Sequence, residues 1–220
     1  MAVELRELTL ELAVNDGIRV VILTGNGPAF SVGRETPASA PEIDRLRVSQ
    51  AIAELPVPVL AALNGDASDH GLELALAADL RLAAPDANFW FSPLASPGLA
   101  FDGGTQRLPR LVGPSWAKDM LLTSRKVAAA EALGIGLVNR ISAPGQDLMQ
   151  LTRRLAEDIA GGSPLGARYV KEAIASGADL ALRPALGLEA DLNVILQSTR
   201  DRAEGIASFL DRRTPEFTGE

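Results

Sequence analysis

The chain has 220 residues, a formal net charge of −7, no cysteine and one histidine. This composition excludes disulfides, a thiolate nucleophile and a cysteine-held zinc, argues against a histidine-rich metal cluster, and gives nucleic acid no basic face on which to release counterions. Although 47% of the residues are hydrophobic, no apolar run reaches the ~18 residues of a membrane span, and the N-terminus lacks a signal-peptide pattern, so a single cytoplasmic domain is expected.

In chain order, residues 4–15 carry an amphipathic helical pattern and residues 18–24 a β-branched run. Residues 42–55 read as one helix, stopped by Pro56 and Pro58. A strand over 57–63 then enters a Gly/Asp/Ser turn, from which a helix begins near residues 68–70 and runs through 78. Residues 79–84 and 88–91 read as short strands, an irregular Pro/Gly/Ser stretch follows, and helical segments start at Gly104. From Gly145 the pattern is helical almost throughout, broken at Gly161-Gly162-Ser163-Pro164 and at Ser176-Gly177. The expected division is an α/β core over 1–144 and, over 145–220, a helical region packed on the core or on a neighbouring subunit.

The stretch 63–104 holds the chemistry. A helix starting at residues 68–70 gathers unsatisfied N–H groups around His70 and Gly71, and these, with the positive end of the helix dipole, can hold a developing oxyanion. Glu73 sits in the same first turn. Its plain use is to stabilise the helix dipole, worth ~0.3–1 kcal/mol; its chemical use is proton transfer beside the N–H groups. Asp102, before Gly103-Gly104, is either a turn residue capping the following helix or a second carboxylate in the pocket.

Two longer motifs carry a resemblance. Asn64-Gly65-Asp66-Ala67-Ser68-Asp69-His70-Gly71-Leu72-Glu73-Leu74-Ala75 is similar to the NGxAxGGGxELA stretch of the enoyl-CoA hydratase/isomerase (crotonase) superfamily. Gly103-Gly104-Thr105-Gln106-Arg107-Leu108-Pro109-Arg110-Leu111-Val112-Gly113 matches its GGTQRLPRLVG stretch. Val20-Val21-Ile22-Leu23-Thr24-Gly25, Ala29-Phe30-Ser31-Val32-Gly33, Glu131-Ala132-Leu133, Gly136-Leu137-Val138 and Phe209-Leu210-Asp211-Arg212-Arg213 agree in order, so the resemblance covers nearly the whole chain.

The resemblance implies an α/β crotonase-like (ββα-superhelix) core, an acyl-CoA thioester substrate with no cofactor besides its coenzyme A, no metal, no nucleic-acid or membrane partner, and assembly as a homotrimer or dimer of trimers. It places the oxyanion donors at the N–H groups of Arg34 and His70, in a substrate-binding stretch with Val32 and Gly71, and gives Glu73 an acid/base role. Three departures stand out. Arg34-Glu35 replaces Ala-Asp, Asp69-His70 replaces Gly-Gly, and Ser92-Pro93 stands where the family has Pro-Glu, its second catalytic glutamate. Asp102 is the substitute carboxylate; Phe101-Asp102-Gly103-Gly104 looks like the SFDGG segment of 1,4-dihydroxy-2-naphthoyl-CoA synthases, and a similarly placed aspartate occurs in the hydrolase for 6-oxocamphor. The His70 ring either takes part in proton transfer or only narrows the site.

The β-hairpin that usually opens the family fold is also missing, so the start is truncated or another element covers that sheet edge. The expected activity is hydration of a 2-enoyl-CoA. Isomerisation or carbon–carbon cleavage of a diketone-like substrate is the second reading, and a non-catalytic binding protein on this fold the third. Arg107, Arg110, Arg200, Arg202, Arg212 and Arg213 are the clustered cations an anionic ligand could use, or else solvated helix faces. Trp90 and Phe101 belong to the core or to the acyl-pocket wall. Other motifs are weaker: Gly25-Asn26-Gly27-Pro28 lacks a third glycine for a dinucleotide fingerprint, and no P-loop or G-x-S-x-G elbow exists.

Overall fold

The computed structural model describes residues 2–33, 37, 39–92 and 99–220. Its elements run α1 (Ala2–Ala13), β1 (Val21–Thr24), α2 (Ala40–Leu46), α3 (Ser49–Ala53), β2 (Val59–Leu63), β3 (Ala67–Ser68), α4 (His70–Ala77), β4 (Leu80–Ala83), β5 (Asn88–Trp90), α5 (Gly104–Thr123), β6 (Val127–Ala128), α6 (Ala129–Gly134), β7 (Arg140–Ile141), α7 (Leu148–Ala160), α8 (Pro164–Gly177), α9 (Leu182–Gln197) and α10 (Arg200–Asp211).

The apolar run at 59–63 is a central strand. β2 lies between β1 and β4 in a four-stranded parallel sheet of order β1-β2-β4-β7, with Leu60 opposite both Ile22 and Leu80. Every residue of β2 is buried, which is why it reads as a continuous apolar run and not as an alternation. Residues beyond its end turn into a smaller sheet, β3-β5-β6, set beside the start of α4. Helices α3 and α5 both pack on α4, while α7 covers β1, β2 and β4. Leu60, Leu72, Leu82 and Leu108 have no exposed surface, each stabilising the fold by roughly 1.5–3 kcal/mol relative to exposure.

One expected element is different. The helix read over 42–55 is two helices, α2 and α3, separated by an extended Arg47 (φ −73°, ψ 106°). The break has two anchors: the Arg6 guanidinium of α1 donates to the Asp44 carbonyl at 2.6 Å, and the freed N–H groups of Val48 and Ser49 find a side-chain acceptor in Asp102. The periodicity is helical, but the tertiary acceptors favour a new helix start. The GGTQRLPRLVG segment also departs from one straight helix, since Gly113 (φ 80°, ψ 160°) bends α5 where Pro114 follows.

The C-terminal helices form an outer layer, α8 against α9, with α10 tied back by Asp201. That buried carboxylate accepts the Ser163 hydroxyl at 2.7 Å and the N–H of Thr218 at 2.8 Å. No helix among the described residues is long and apolar enough to cross a membrane.

Candidate active site

The site is assembled where β3 hands over to α4. A Cβ on Gly71 would stand 2.2 Å from the Ser31 carbonyl oxygen, so only glycine lets the first turn of α4 press against the 31–33 strand-like segment. Ser31 and Ser68 lock that approach: the Ser68 N–H donates to the Ser31 carbonyl at 3.0 Å, and the Gly33 N–H to the Ser68 hydroxyl at 3.2 Å. Val32, half-way along this segment, is 53% exposed at the mouth of an adjacent cleft of about 590 Å³ that Asn64, Gly65, Asp66 and Trp90 also line.

Asp69 precedes the helix with φ 49° and ψ −122°, a backbone state that costs a non-glycine residue about 1–3 kcal/mol. Its N–H is taken by the Trp90 carbonyl at 3.2 Å, and its carboxylate accepts the N–H and hydroxyl of Ser92 at 2.8 and 2.5 Å. These bonds hold the strained turn. The next N–H, on His70, opens the helix and has no intrahelical acceptor.

Glu73, one turn on and 1% exposed, accepts the N–H groups of Asp102 and Gly104 through Oε1, each at 2.8 Å. Burial pushes its pKa up and nearby Asp102 adds to this, against the lowering effect of the two N–H bonds and of His70. Asp102, also buried, uses its Oδ2 to accept from Val48 N–H and Ser49 N–H at 2.9 Å each, and that oxygen lies 3.0 Å from His70 Nε2. Burial alone would raise its pKa, but the His70 hydrogen bond and the Ser49 and Val48 N–H groups bring it below the ordinary value. Two neighbouring carboxylates are thus driven apart, one toward holding a proton and one toward staying charged, the condition that separates acid from base roles.

The chain aligns with known proteins over its whole length. The family model for enoyl-CoA hydratase/isomerase matches residues 2–220. The chain belongs to the enoyl-CoA hydratase/isomerase family. It is 36% identical over 225 residues to the (E)-benzylidenesuccinyl-CoA hydratase of Thauera aromatica, across 98% of this chain and 88% of that protein. It is likewise 36% identical to the crotonyl-CoA hydratase of Syntrophomonas wolfei, across 93% and 83%. The crystal structure of the enoyl-CoA hydratase from Bacillus anthracis superposes with a TM-score of 0.94 at 34% identity, covering all of this chain and 88% of that one. The fold is the crotonase fold.

For this enoyl-CoA hydratase/isomerase family member, the structure brings His70, Gly71, Glu73 and Asp102 together and sets Val32 on the neighbouring cleft. Arg34 and Pro93 lie outside the described residues. Asp102 does not cap the helix that follows it, because Gly103 occupies the cap of α5 with no side-chain cap bond; it caps α3 instead, and Glu73 reaches the Gly104 N–H at the start of α5. Nothing local in the sequence signals that exchange, since Val48 and Asp102 are 54 positions apart. Phe101 lies against the His70 ring at 5.3 Å between centroids, and Trp90 is half-buried on the cleft.

The clustered arginines do not gather at the cleft. Arg107 donates to Gln50 and to the Asp102 carbonyl, Arg110 to the Gln106 carbonyl, and Arg213 pairs with Glu204. Among the described residues Lys126 brings a cation to the cleft's Trp90, its ammonium 4.0 Å from the centre of that ring. It follows Arg125 in an ordinary surface sequence, and only the fold brings it to Trp90.

Proposed function

We propose that the protein hydrates 2-enoyl-CoA thioesters, with the thioester oxygen held at the His70 N–H and Glu73 transferring a proton at the α carbon. The observation that carries this reading is the buried Glu73 carboxyl, with its raised pKa, one helical turn from an N–H that opens α4. Addition of water to an enoyl thioester moves negative charge onto the carbonyl oxygen, which a helix start stabilises. A carboxyl that keeps its proton can then give it to the α carbon. The hydratase names of relatives aligned over most of the chain support the same reaction class. The cleft beside Val32, with Lys126 on its Trp90 wall, suits the anionic CoA portion.

The second reading, isomerisation or carbon–carbon cleavage of a diketone-like substrate, is favoured by Pro93 standing where the family has its second catalytic glutamate, since proline moves no proton, and by Asp102 as the substitute carboxylate. Exposed Leu182, Leu186, Val194, Phe209 and Leu210 on α9 and α10 support homotrimeric, or dimer-of-trimers, assembly through the helical region 145–220. We place the enzyme in the cytoplasm.

The test is crotonyl-CoA, followed by loss of the conjugated enoyl-thioester absorbance. Glu73→Gln keeps an oxygen for both N–H donors but loses the transferable proton, so hydration should fall by about 10²–10⁴-fold with CoA affinity retained. Undiminished turnover by Glu73→Gln removes Glu73 from the reaction. Tight CoA binding with no turnover by the wild type turns the reading toward the diketone substrates or a binding-only role.

A further inference from the structure

Asp102 and His70 form a buried pair that the role of Glu73 leaves unused. Both are nearly enclosed, at 2% and 7% exposure. His70 opens the first turn of α4, its own N–H being the one assigned to the thioester oxygen, and Glu73 is linked to the pair through the Asp102 main chain: the Asp102 N–H holds Glu73 Oε1 while the Asp102 carboxylate holds the imidazole.

Asp102 is badly placed to carry a proton itself. The same oxygen, Oδ2, accepts from Val48 and Ser49 N–H and faces His70 Nε2; protonating it would weaken three charge-assisted contacts at once. An ionised carboxylate only accepts hydrogen bonds, so the imidazole must present Nε2–H to it. In the neutral ring this leaves the lone pair on Nδ1. Among the described residues His70 makes its hydrogen bond through Nε2, and Nδ1 is left as an acceptor. Burial, the Asp102 contact and the tilted Phe101 ring at 5.3 Å fix the plane of the imidazole.

We infer that His70 Nδ1, oriented by Asp102, is the base that activates the attacking water, and that this pair replaces the carboxylate missing at Pro93. The inference rests on the hydratase reading and deepens it. Nδ1 takes one proton from water as the oxygen forms its bond to the β carbon. The electron pair of the C=C bond moves toward the thioester, whose oxygen is held at the His70 N–H, and the α carbon then takes the proton of Glu73. The product is the 3-hydroxyacyl thioester. His70 is left protonated and Glu73 ionised, and transfer of that proton back through solvent restores both. His70 is a catalytic residue in this step; Asp102 is a positioning residue.

The single histidine makes the tautomer directly readable. Nitrogen NMR of ¹⁵N-histidine-labelled wild-type protein should show one imidazole with Nε2 protonated and Nδ1 bare, and Asp102→Asn should disturb that state. An Nδ1–H tautomer, or a ring protonated on both nitrogens at the pH of turnover, overturns the inference even if no variant folds. For chemistry, His70→Ala should lower crotonyl-CoA hydration by about 10²–10⁴-fold. Added imidazole should restore part of it, whereas pyrazole, similar in shape but a far weaker base, should not. Equal rescue by both reduces His70 to a filler of space, and full activity of His70→Ala removes it from the reaction. Wild-type protein that leaves crotonyl-CoA unchanged sinks the hydratase reading and this inference with it; normal wild-type turnover with an unimpaired variant sinks only the inference.

Discussion

The two ends of α4 bury charge in opposite ways. At the C-terminal end, Arg81 is 3% exposed and gives Nε to the Leu137 carbonyl at 2.8 Å and Nη1 to the Ala78 carbonyl at 2.6 Å. It satisfies helix-end carbonyls and ties α4, β4 and the segment before β7 into one unit. Burial pulls its pKa down to about 10, with Asp79 opposing the fall, so it stays charged at neutral pH. At the N-terminal end, Glu73, His70 and Asp102 are as deeply buried, but their mutual bonds leave an N–H and an imidazole nitrogen directed to nothing else described. Burial of charge therefore does not mark a site by itself; hydrogen-bonding capacity left over after the fold is satisfied does.

The comparison breaks most clearly at Arg81. Arg81→Met should cost about 3 kcal/mol of stability, because main-chain carbonyls lose a charged donor in a dry interior. Crotonyl-CoA turnover per folded molecule should stay within about twofold, as Arg81 lies away from the proposed proton path. Urea unfolding alongside the hydration assay checks both, and a selective loss of turnover would make the C-terminal end part of the site.

Titration sharpens the contrast. Glu73 has a raised pKa in the folded protein, so its stability contribution is full below the unfolded carboxylate pKa and is lost as pH rises through the folded one. Asp102 has a lowered pKa, so its contribution is present above the unfolded value and is lost as pH falls through the folded one. Glu73→Gln removes only the first of these. Relative to wild type, it should gain stability as pH rises from the unfolded carboxylate value of about 4 through the folded one, by on the order of 1 kcal/mol for each pH unit by which Glu73 is raised. A constant difference between the two proteins across that range would mean that Glu73 is not the group desolvated at this end.

The smallest expected effect lies in the outer layer. Ser163 caps α8 through Gly166 N–H at 3.1 Å and donates to Asp201. Ser163→Ala should cost about 1 kcal/mol and leave hydration unchanged, measured by thermal unfolding and the same assay.

How far each part was legible follows from how local its causes are. The Gly161-Gly162-Ser163-Pro164 break was readable because cap, proline and glycine act within one turn. Residues 59–63 were readable as a strand because a β-run buried on both faces has to be apolar. The helix over 42–55 was misjudged, since its interruption depends on Arg6 and Asp102, which bind its backbone from distant positions. Lys126 was passed over because surface lysines carry no local mark of the ring they will cover.

By itself, the sequence determined the alternation of strands and helices, a helix start near residues 68–70 and the presence of Glu73 in its first turn, because periodicity, turn residues and capping act over a few residues. Only the tertiary structure decided that Asp102 caps α3 and faces His70, that Glu73 holds the start of α5, and that the two carboxylates are pushed in opposite directions. Those outcomes depend on which N–H groups meet each carboxylate in a dry interior, and the partners come from chain segments tens of residues apart.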